Sequence, residues 1–166
     1  MKEDKNQQQK PSILFVCTAG GARGVFAAEF AAEFAAQWSG ESASVMASGF
    51  ESCQFSEPVN RLFEEVGLPA RQKSPKTVFQ RYSEGESYDI IVTMCGESRV
   101  DICATFSKTV RTIYGNATVV EWEIPDFRGI QATGESWLAE ARMIRDNIRS
   151  LTKDFITSVV STDGLT

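Results

Sequence analysis

Short apolar runs alternate with longer amphipathic segments along this chain. Four of the runs are rich in branched and aromatic residues, which is typical of buried strands, and they cover residues 12–16, 45–48, 89–94 and 117–122. The segments between and after them carry helical patterns. Strands that alternate with helices favour an α/β fold, in which right-handed crossovers join the parallel strands of one sheet.

The first predicted helix begins near Gly24 and ends at Gly40. A four-residue repeat places its aromatic side chains on one stripe, which predicts that the stripe is core and packs against the sheet. The stripe consists of Phe26, Phe30, Phe34 and Trp38.

Three further helical patterns follow. Ser56 begins one that Gly67 ends, and a short helix is indicated over residues 78–82. Apolar residues spaced by three and four from Trp137 to Phe155 predict a long last helix, with Thr133 as its candidate cap.

Length and composition predict a single domain. The chain has 166 residues, of which 42% are hydrophobic and 23% charged, as in ordinary globular proteins. We expect a disordered polar segment over residues 1–10 and one domain over residues 11–160. Because no apolar run approaches the length of a membrane span and no secretory signal is visible, the sequence predicts a cytoplasmic protein with no membrane partner.

Charge and residue usage exclude several classes of function. The net charge is −5 and no basic stripe is present, which argues against a nucleic-acid partner. The chain has no histidine, which excludes Ser-His and Cys-His nucleophile pairs and histidine-based metal sites. Four cysteines in a reducing compartment indicate chemistry or burial rather than a disulfide framework.

The most informative motif lies between the first strand and the first helix. Cys17 and Arg23 enclose a glycine-rich turn, in which Gly20 and Gly21 let successive N–H groups point at one spot. The helix start adds its partial positive charge there, and Arg23 can hold a tetrahedral oxyanion with two parallel hydrogen bonds.

This motif predicts a nucleophile beside an anion site. Cys17 is the candidate nucleophile, since such surroundings favour its thiolate form. The candidate oxyanion-binding residues are those of the turn, namely Thr18, Ala19, Gly20, Gly21, Ala22, Arg23 and Gly24. The alternative is a buried cysteine at the strand end with an exposed arginine on the first helical turn.

Several motifs, taken in order, resemble the low-molecular-weight tyrosine phosphatase and arsenate reductase superfamily. The strand, C-x5-R turn and helix resemble its start. Residues 87–97 resemble the third strand of the arsenate reductase branch, which ends in a second cysteine, here Cys95. Cys103 resembles the third cysteine of that branch, and residues 122–126 resemble the acid loop with Asp126 as its aspartate. The resemblance covers residues 11–155 and implies a three-layer, doubly wound sheet of four parallel strands in the order 2-1-3-4.

The chain departs from that family's pattern at particular positions. Gly20 replaces the usual asparagine, and Gly24 replaces a serine or threonine whose hydroxyl donates to the thiolate. Phe127 follows the aspartate where proline is usual, and Ala104 follows the third cysteine where proline is common. Seven residues, one more than usual, separate Cys95 from the third cysteine.

The resemblance implies a thiol relay that reduces arsenate. Cys17 attacks arsenate held by Arg23 and the loop amides, while Asp126 protonates the departing oxygen. Cys95 then attacks Cys17 and releases arsenite, and Cys103 attacks Cys95 and passes the disulfide to thioredoxin or a similar thiol reductant. This exchange needs no metal or organic cofactor. In the implied strand order, the ends of the first and third strands lie about 4.8 Å apart, which brings Cys17 and Cys95 within reach of each other.

Other interpretations stay open. A phosphatase acting on phosphotyrosine or a small phosphoester needs only Cys17, Arg23 and Asp126. A non-catalytic oxyanion-binding module is favoured by Gly20 and Gly24.

The roles of the other three cysteines also stay open. Cys95 and Cys103 can be core residues, and Cys53, which belongs to no motif, is interpreted as incidental. If residues 97–105 are helical, Cys95 and Cys103 are separated by a rise of about 12 Å and can bond only if that segment unwinds.

Overall fold

A parallel four-stranded sheet with the order β2-β1-β3-β4 forms the centre of the fold. The structure, a computed structural model, describes residues 10–39, 44–69, 74–96 and 100–163. The strands are β1 (Ser12–Cys17), β2 (Ser44–Gly49), β3 (Ile90–Met94) and β4 (Thr118–Trp122). The predicted fold class and strand order are therefore confirmed. Most of the segment predicted to be disordered, residues 1–9, lies outside the described residues.

Five α-helices and one 3₁₀ turn connect and flank the described strands. They are α1 (Ala22–Ser39), α2 (Glu57–Glu65), α3 (Val78–Ser83), α4 (Val100–Ile113) and α5 (Gly134–Asp163), with the 3₁₀ turn at Phe127–Gly129. Helix α5 begins directly after Thr133, as predicted for a cap position. Helix α4 extends to Ile113, whereas from the sequence we considered a helix only over residues 97–105. None of the helices in the described ranges is long and apolar enough to cross a membrane.

Alternation along β1 divides the core into two clusters, one on each face of the sheet. Ile13, Phe15 and Cys17 belong to the cluster that α1, α2 and α5 cover. Leu14 and Val16 belong to the cluster that α3 and α4 cover. The sheet is therefore the middle of three layers, and Cys17 faces the α1 side.

The aromatic stripe of α1 packs into the core cluster that also holds Ile13 and Phe15 of β1, and its rings contact neighbouring helices as well. Phe26 stacks on Phe63 of α2 at 4.0 Å between ring centroids. The guanidinium of Arg149 in α5 lies over Phe30 at 5.3 Å and over Phe34 at 5.5 Å. Phe26 and Phe30 are fully buried, as predicted for core residues, and Gly24 lets the first turn of α1 approach the strands closely. The side chain of Trp38 and all of Gly40 lie outside the described residues.

Candidate active site

The predicted nucleophile stands at the carboxyl edge of the sheet, where ligands bind in folds of this class. Cys17 is the last residue of β1, and its register partners are Gly49 on β2 and Met94 on β3. It is a free thiol with 1% of its surface exposed. Helix α1 begins at Ala22, two residues before the predicted start, so only four residues separate the strand from the helix.

The turn after Cys17 is held by β2. The N–H of Phe50 donates to the Ala19 carbonyl at 3.0 Å, and Gly49 packs so closely that a Cβ there would lie 2.0 Å from that oxygen. Because the C=O and N–H of a trans peptide point in opposite directions, the Gly20 N–H points away from β2. Gly21 has a φ of +96°, which favours glycine. The turn thus aims amide donors away from β2, and the helix start supplies further N–H groups without intrahelical partners.

Arg23 is turned inward, which excludes the alternative of an exposed arginine. Only 1% of its surface is exposed. Its Nη1 donates to the Ile124 carbonyl at 2.7 Å, and its Nη2 donates to Thr18 Oγ1 at 2.8 Å. The same Nη2 lies 3.6 Å from an Asp126 carboxylate oxygen. Since a buried guanidinium is stable only with such partners, its position at the turn is fixed before an anion arrives.

Asp126 lies in the segment between β4 and the 3₁₀ turn. Its carboxylate accepts hydrogen bonds from the Arg128 N–H at 3.1 Å and from Arg128 Nε at 3.2 Å. The next residue, Phe127, is buried and packs edge-on against Phe26 with centroids 5.8 Å apart. An aromatic anchor therefore stands where the family pattern has proline, and it secures the loop that carries the candidate acid.

The structure brings Cys17, Arg23 and Asp126 together around one cavity of about 120 Å³. Ala19, Gly20 and Ala22 of the predicted oxyanion-binding turn line the same cavity. Thr18 does not line the cavity itself, but its hydroxyl accepts a hydrogen bond from Arg23, which does. Gly24 has a different environment: a Cβ there would lie 2.9 Å from the Phe15 carbonyl oxygen and 3.4 Å from that of Ser48, so this position faces the strands.

Cys95 and Cys103 are joined by a disulfide, with their Cα atoms 5.7 Å apart. The expected separation for a continuous helix does not arise, because Cys95 follows β3 without being helical and α4 begins only at Val100. The pair lines a different cavity, of about 400 Å³, and Cys95 packs against the α4 side of the sheet. The structure therefore brings these two cysteines to each other but not into the cavity of Cys17.

The segment that holds the disulfide still contacts the acid loop. The Cys95 N–H donates to the Trp122 carbonyl at 3.2 Å. A Cβ at Gly96 would lie 2.6 Å from both the Ile124 carbonyl oxygen and the Pro125 nitrogen. A movement of the backbone at Cys95 and Gly96 would therefore displace the loop that carries Asp126. It would also displace Arg23, whose guanidinium bonds the Ile124 carbonyl.

Sequence reasoning missed a cysteine and an arginine of the cavity. Cys53, interpreted as incidental, lines it, and so does Arg128. Arg128 bonds Asp126 and also lies 3.4 Å from a Glu51 carboxylate oxygen, so it links the acid loop to the segment after β2. The only sequence signal for Cys53 was the departure at Gly20, because a Cβ at that glycine would lie 1.9 Å from Cys53 Sγ. No signal in the sequence pointed to Arg128.

The surroundings of Cys53 favour its neutral thiol. Burial raises the pKa of this thiol above its ordinary value. The Arg128 guanidinium opposes this rise, whereas Glu51, Cys17 and Asp126 add to it. Among the described residues, no group of three or more histidine, cysteine, aspartate or glutamate side chains is arranged to hold a metal ion.

Comparison with solved structures shows the same fold in two kinds of enzyme. An arsenate reductase in an oxidized state is 19% identical over 90% of this chain and 98% of its own, with a TM-score of 0.64. A low molecular weight protein tyrosine phosphatase from Bacillus subtilis is 14% identical over 92% of this chain and 98% of its own, with a TM-score of 0.64. A thioredoxin-dependent arsenate reductase from Corynebacterium glutamicum is 18% identical over 96% of this chain and 67% of its own, with a TM-score of 0.55.

Sequence comparison gives the family. No curated protein matches the chain significantly. The family model for low molecular weight phosphotyrosine protein phosphatase matches residues 12–162, which run from β1 into the end of α5. The chain therefore belongs to the low molecular weight phosphotyrosine protein phosphatase family and is an enzyme.

Proposed function

We propose that this enzyme reduces arsenate to arsenite with thiols as the source of electrons. The observation that carries the proposal is the disulfide between Cys95 and Cys103, in a structure where Cys17 is a free thiol. A phosphatase of this fold uses one thiol, whereas a reductase must supply two electrons from a pair of thiols. A bridged Cys95–Cys103 pair together with a free Cys17 is the state in which such a relay would end.

The first step forms a bond between sulfur and arsenic. The Cys17 thiolate attacks arsenate, which Arg23 and the amides of the turn hold, and one arsenic–oxygen bond breaks. Asp126 donates a proton to the leaving oxygen, which departs as water.

The second and third steps move the electrons. Cys95 attacks the Cys17 sulfur, a disulfide forms, and arsenic leaves with the electron pair as arsenite. Cys103 then attacks Cys95, which restores the Cys17 thiolate and leaves the Cys95–Cys103 disulfide for thioredoxin or a similar dithiol to reduce. Register supports the second step because Met94, directly before Cys95, lies opposite Cys17. Cys95 must turn from the α4 side of the sheet to make this attack.

The second candidate function is hydrolysis of a phosphoester. One observation favours it: Cys17, Arg23 and Asp126 line one cavity, and the disulfide lines another. These three residues suffice for attack on phosphorus, anion binding and protonation of the leaving group. Gly20 and Gly24, which favoured a non-catalytic module, are accounted for by close packing against Cys53 and the strands.

Substitution of Cys95 separates the two enzymes. In Cys95→Ser, we expect steady-state arsenate reduction, coupled to thioredoxin and its reductase, to be lost while hydrolysis of p-nitrophenyl phosphate persists. Cys103→Ser is the matched control, since it should release one equivalent of arsenite and then stop with a Cys17–Cys95 disulfide. Undiminished arsenate turnover in Cys95→Ser would overturn the relay and leave the phosphatase.

A further inference from the structure

Two free thiols share the substrate cavity, and only one of them has a role in the proposed chemistry. Cys17 and Cys53 both line the cavity of about 120 Å³, and neither belongs to a disulfide. Cys17 is buried at the strand end, whereas Cys53 is partly exposed. The cavity thus places a second sulfur beside the nucleophile, and this sulfur comes from the segment between β2 and α2.

The backbone at Cys53 is held on both sides. Its N–H donates to Ser74 Oγ at 3.0 Å, and its carbonyl accepts from the Ser74 N–H at 3.1 Å. Two residues later, Phe55 is buried and stacks near Phe63 of α2. This anchoring fixes the direction in which the Cys53 side chain leaves the backbone.

The turn residue Gly20 is fitted to the Cys53 sulfur. A Cβ at Gly20 would lie 1.9 Å from Cys53 Sγ, far inside contact distance. Gly20 is absent from the described glycines with positive φ, so its backbone conformation does not require glycine. The thiol of Cys53 therefore occupies the space that a side chain at position 20 would take. Position 20 lies three residues after Cys17 in the turn.

We propose that Cys53 is the resolving thiol for oxidised Cys17, so that peroxide closes the substrate cavity with a reversible Cys17–Cys53 disulfide. In the first step the Cys17 thiolate attacks a peroxide, the O–O bond breaks, and sulfur is oxidised to sulfenic acid while an alcohol or water leaves. In the second step Cys53 loses its proton and attacks the Cys17 sulfur. An S–S bond forms, and the sulfenic oxygen leaves as water.

The charges around Cys53 explain why Cys17 reacts first with peroxide and Cys53 acts only in the second step. Glu51 and Asp126 lie near Cys53 and oppose its ionisation, whereas Arg128 favours it. Cys53 therefore stays neutral at neutral pH and does not compete with Cys17 for an oxyanion or a peroxide. Because the second step needs the Cys53 thiolate, its rate should rise as pH is raised above neutral.

Cys95 is a poorer partner for oxidised Cys17 in the bridged state of this structure. Its sulfur is already bonded to Cys103 and lines the other cavity. After a turnover that leaves this disulfide in place, Cys53 is the thiol that shares a cavity with Cys17. The Cys17–Cys53 disulfide would protect the nucleophile from irreversible oxidation and would hold the enzyme inactive until a thiol reduces it.

The test uses the full chain, oxidised with hydrogen peroxide while the Cys95–Cys103 disulfide is in place. Wild type and Cys53→Ser are treated alike, trapped with iodoacetamide and mapped by mass spectrometry. We expect wild type to form a Cys17–Cys53 disulfide that dithiothreitol reverses, and Cys53→Ser to accumulate sulfinic acid at Cys17 that dithiothreitol does not reverse. Sulfinic acid at Cys17 of wild type, at the same rate as in the variant, would overturn the inference.

A second variant tests the fit between Gly20 and the sulfur while both thiols remain. Gly20→Ala places a methyl group where Cys53 Sγ lies, so disulfide formation should fall to the level of Cys53→Ser. Gly115→Ala is the matched control, because the nearest atom to a Cβ there is 3.9 Å away, and it should form the disulfide like wild type. An undiminished yield of disulfide in Gly20→Ala contradicts the proposed placement.

The inference rests on the proposed reactivity of Cys17, and the two can fail separately. Iodoacetamide labelling of the untreated protein measures that reactivity without any turnover. Labelled Cys17 that never bonds to Cys53 overturns this inference alone. A Cys17 that reacts with neither iodoacetamide nor peroxide overturns the proposed nucleophile as well.

Discussion

Gly24→Ala is expected to destabilise the fold and misplace the anion site, although it removes no functional group. The new Cβ would lie 2.9 Å from the Phe15 carbonyl oxygen and 3.4 Å from the Ser48 carbonyl oxygen. Both neighbours are backbone atoms of the sheet, so relief requires α1 to move away from β1 by about half an ångström. Overpacking of this kind costs ~1–3 kcal/mol. A cost in the middle of that range lowers the melting temperature of a domain of this size by about 4–8 °C.

The assay is thermal unfolding of Gly24→Ala beside Gly115→Ala, whose Cβ would make only an ordinary contact with the Arg111 carbonyl oxygen at 3.9 Å, with phosphoester hydrolysis measured in parallel. The control should unfold within a few degrees of wild type, because a new methyl group that causes no close contact changes stability little. Activity of Gly24→Ala should fall as well, since Arg23 moves with the helix start. Gly24→Ser adds the same Cβ. Any stabilisation of the Cys17 thiolate by the serine hydroxyl would therefore be accompanied by the same loss of packing stability. Wild-type stability in Gly24→Ala would refute the close contact.

Two further predictions concern single carboxylates. Asp126→Asn should lower the rate of the chemical step by roughly 10²–10⁴-fold in pre-steady-state assays, while anion affinity holds or improves; a loss confined to affinity would make Asp126 structural. The hydrogen bond from Arg142, assisted by Arg145, lowers the pKa of Glu65 from its ordinary 4.5 to about 2 and ties α2 to α5. Glu65→Gln should therefore lose ~1 kcal/mol in urea unfolding at neutral pH, a difference that disappears as pH falls from 4.5 towards 2; a loss independent of pH contradicts the ionic cause.

The local parts of the site could be predicted from the sequence. The strand before Cys17, the glycines of the turn and the helix after it are neighbours in the chain, so their patterns specify one supersecondary unit. The strand order followed from the resemblance and places Cys17 opposite Met94, directly before Cys95. The strand–turn–helix unit and the strand order could therefore be predicted, because short-range patterns and a known topology determine them.

The remaining features depend on contacts between distant segments. Cys53 reaches the cavity because the segment after β2 folds over the turn, and its only trace in the sequence is the unusual Gly20. Arg128 links Asp126 of the acid loop to Glu51 of the segment after β2, and no sequence pattern marks these charges as partners. The contacts of the α1 stripe with α2 and α5 were not predicted, because periodicity shows that a face is buried but not every element that covers it.

The central claim is that this enzyme reduces arsenate through its thiols, and a count of thiols tests it most directly. The fully reduced protein, with its four cysteines free, is incubated with arsenate in the absence of any external reductant, and then alkylated and mapped. The relay predicts one equivalent of arsenite, a Cys95–Cys103 disulfide, and alkylated Cys17 and Cys53. Four alkylated cysteines and no arsenite, from protein that hydrolyses p-nitrophenyl phosphate, would contradict the claim and identify a phosphatase.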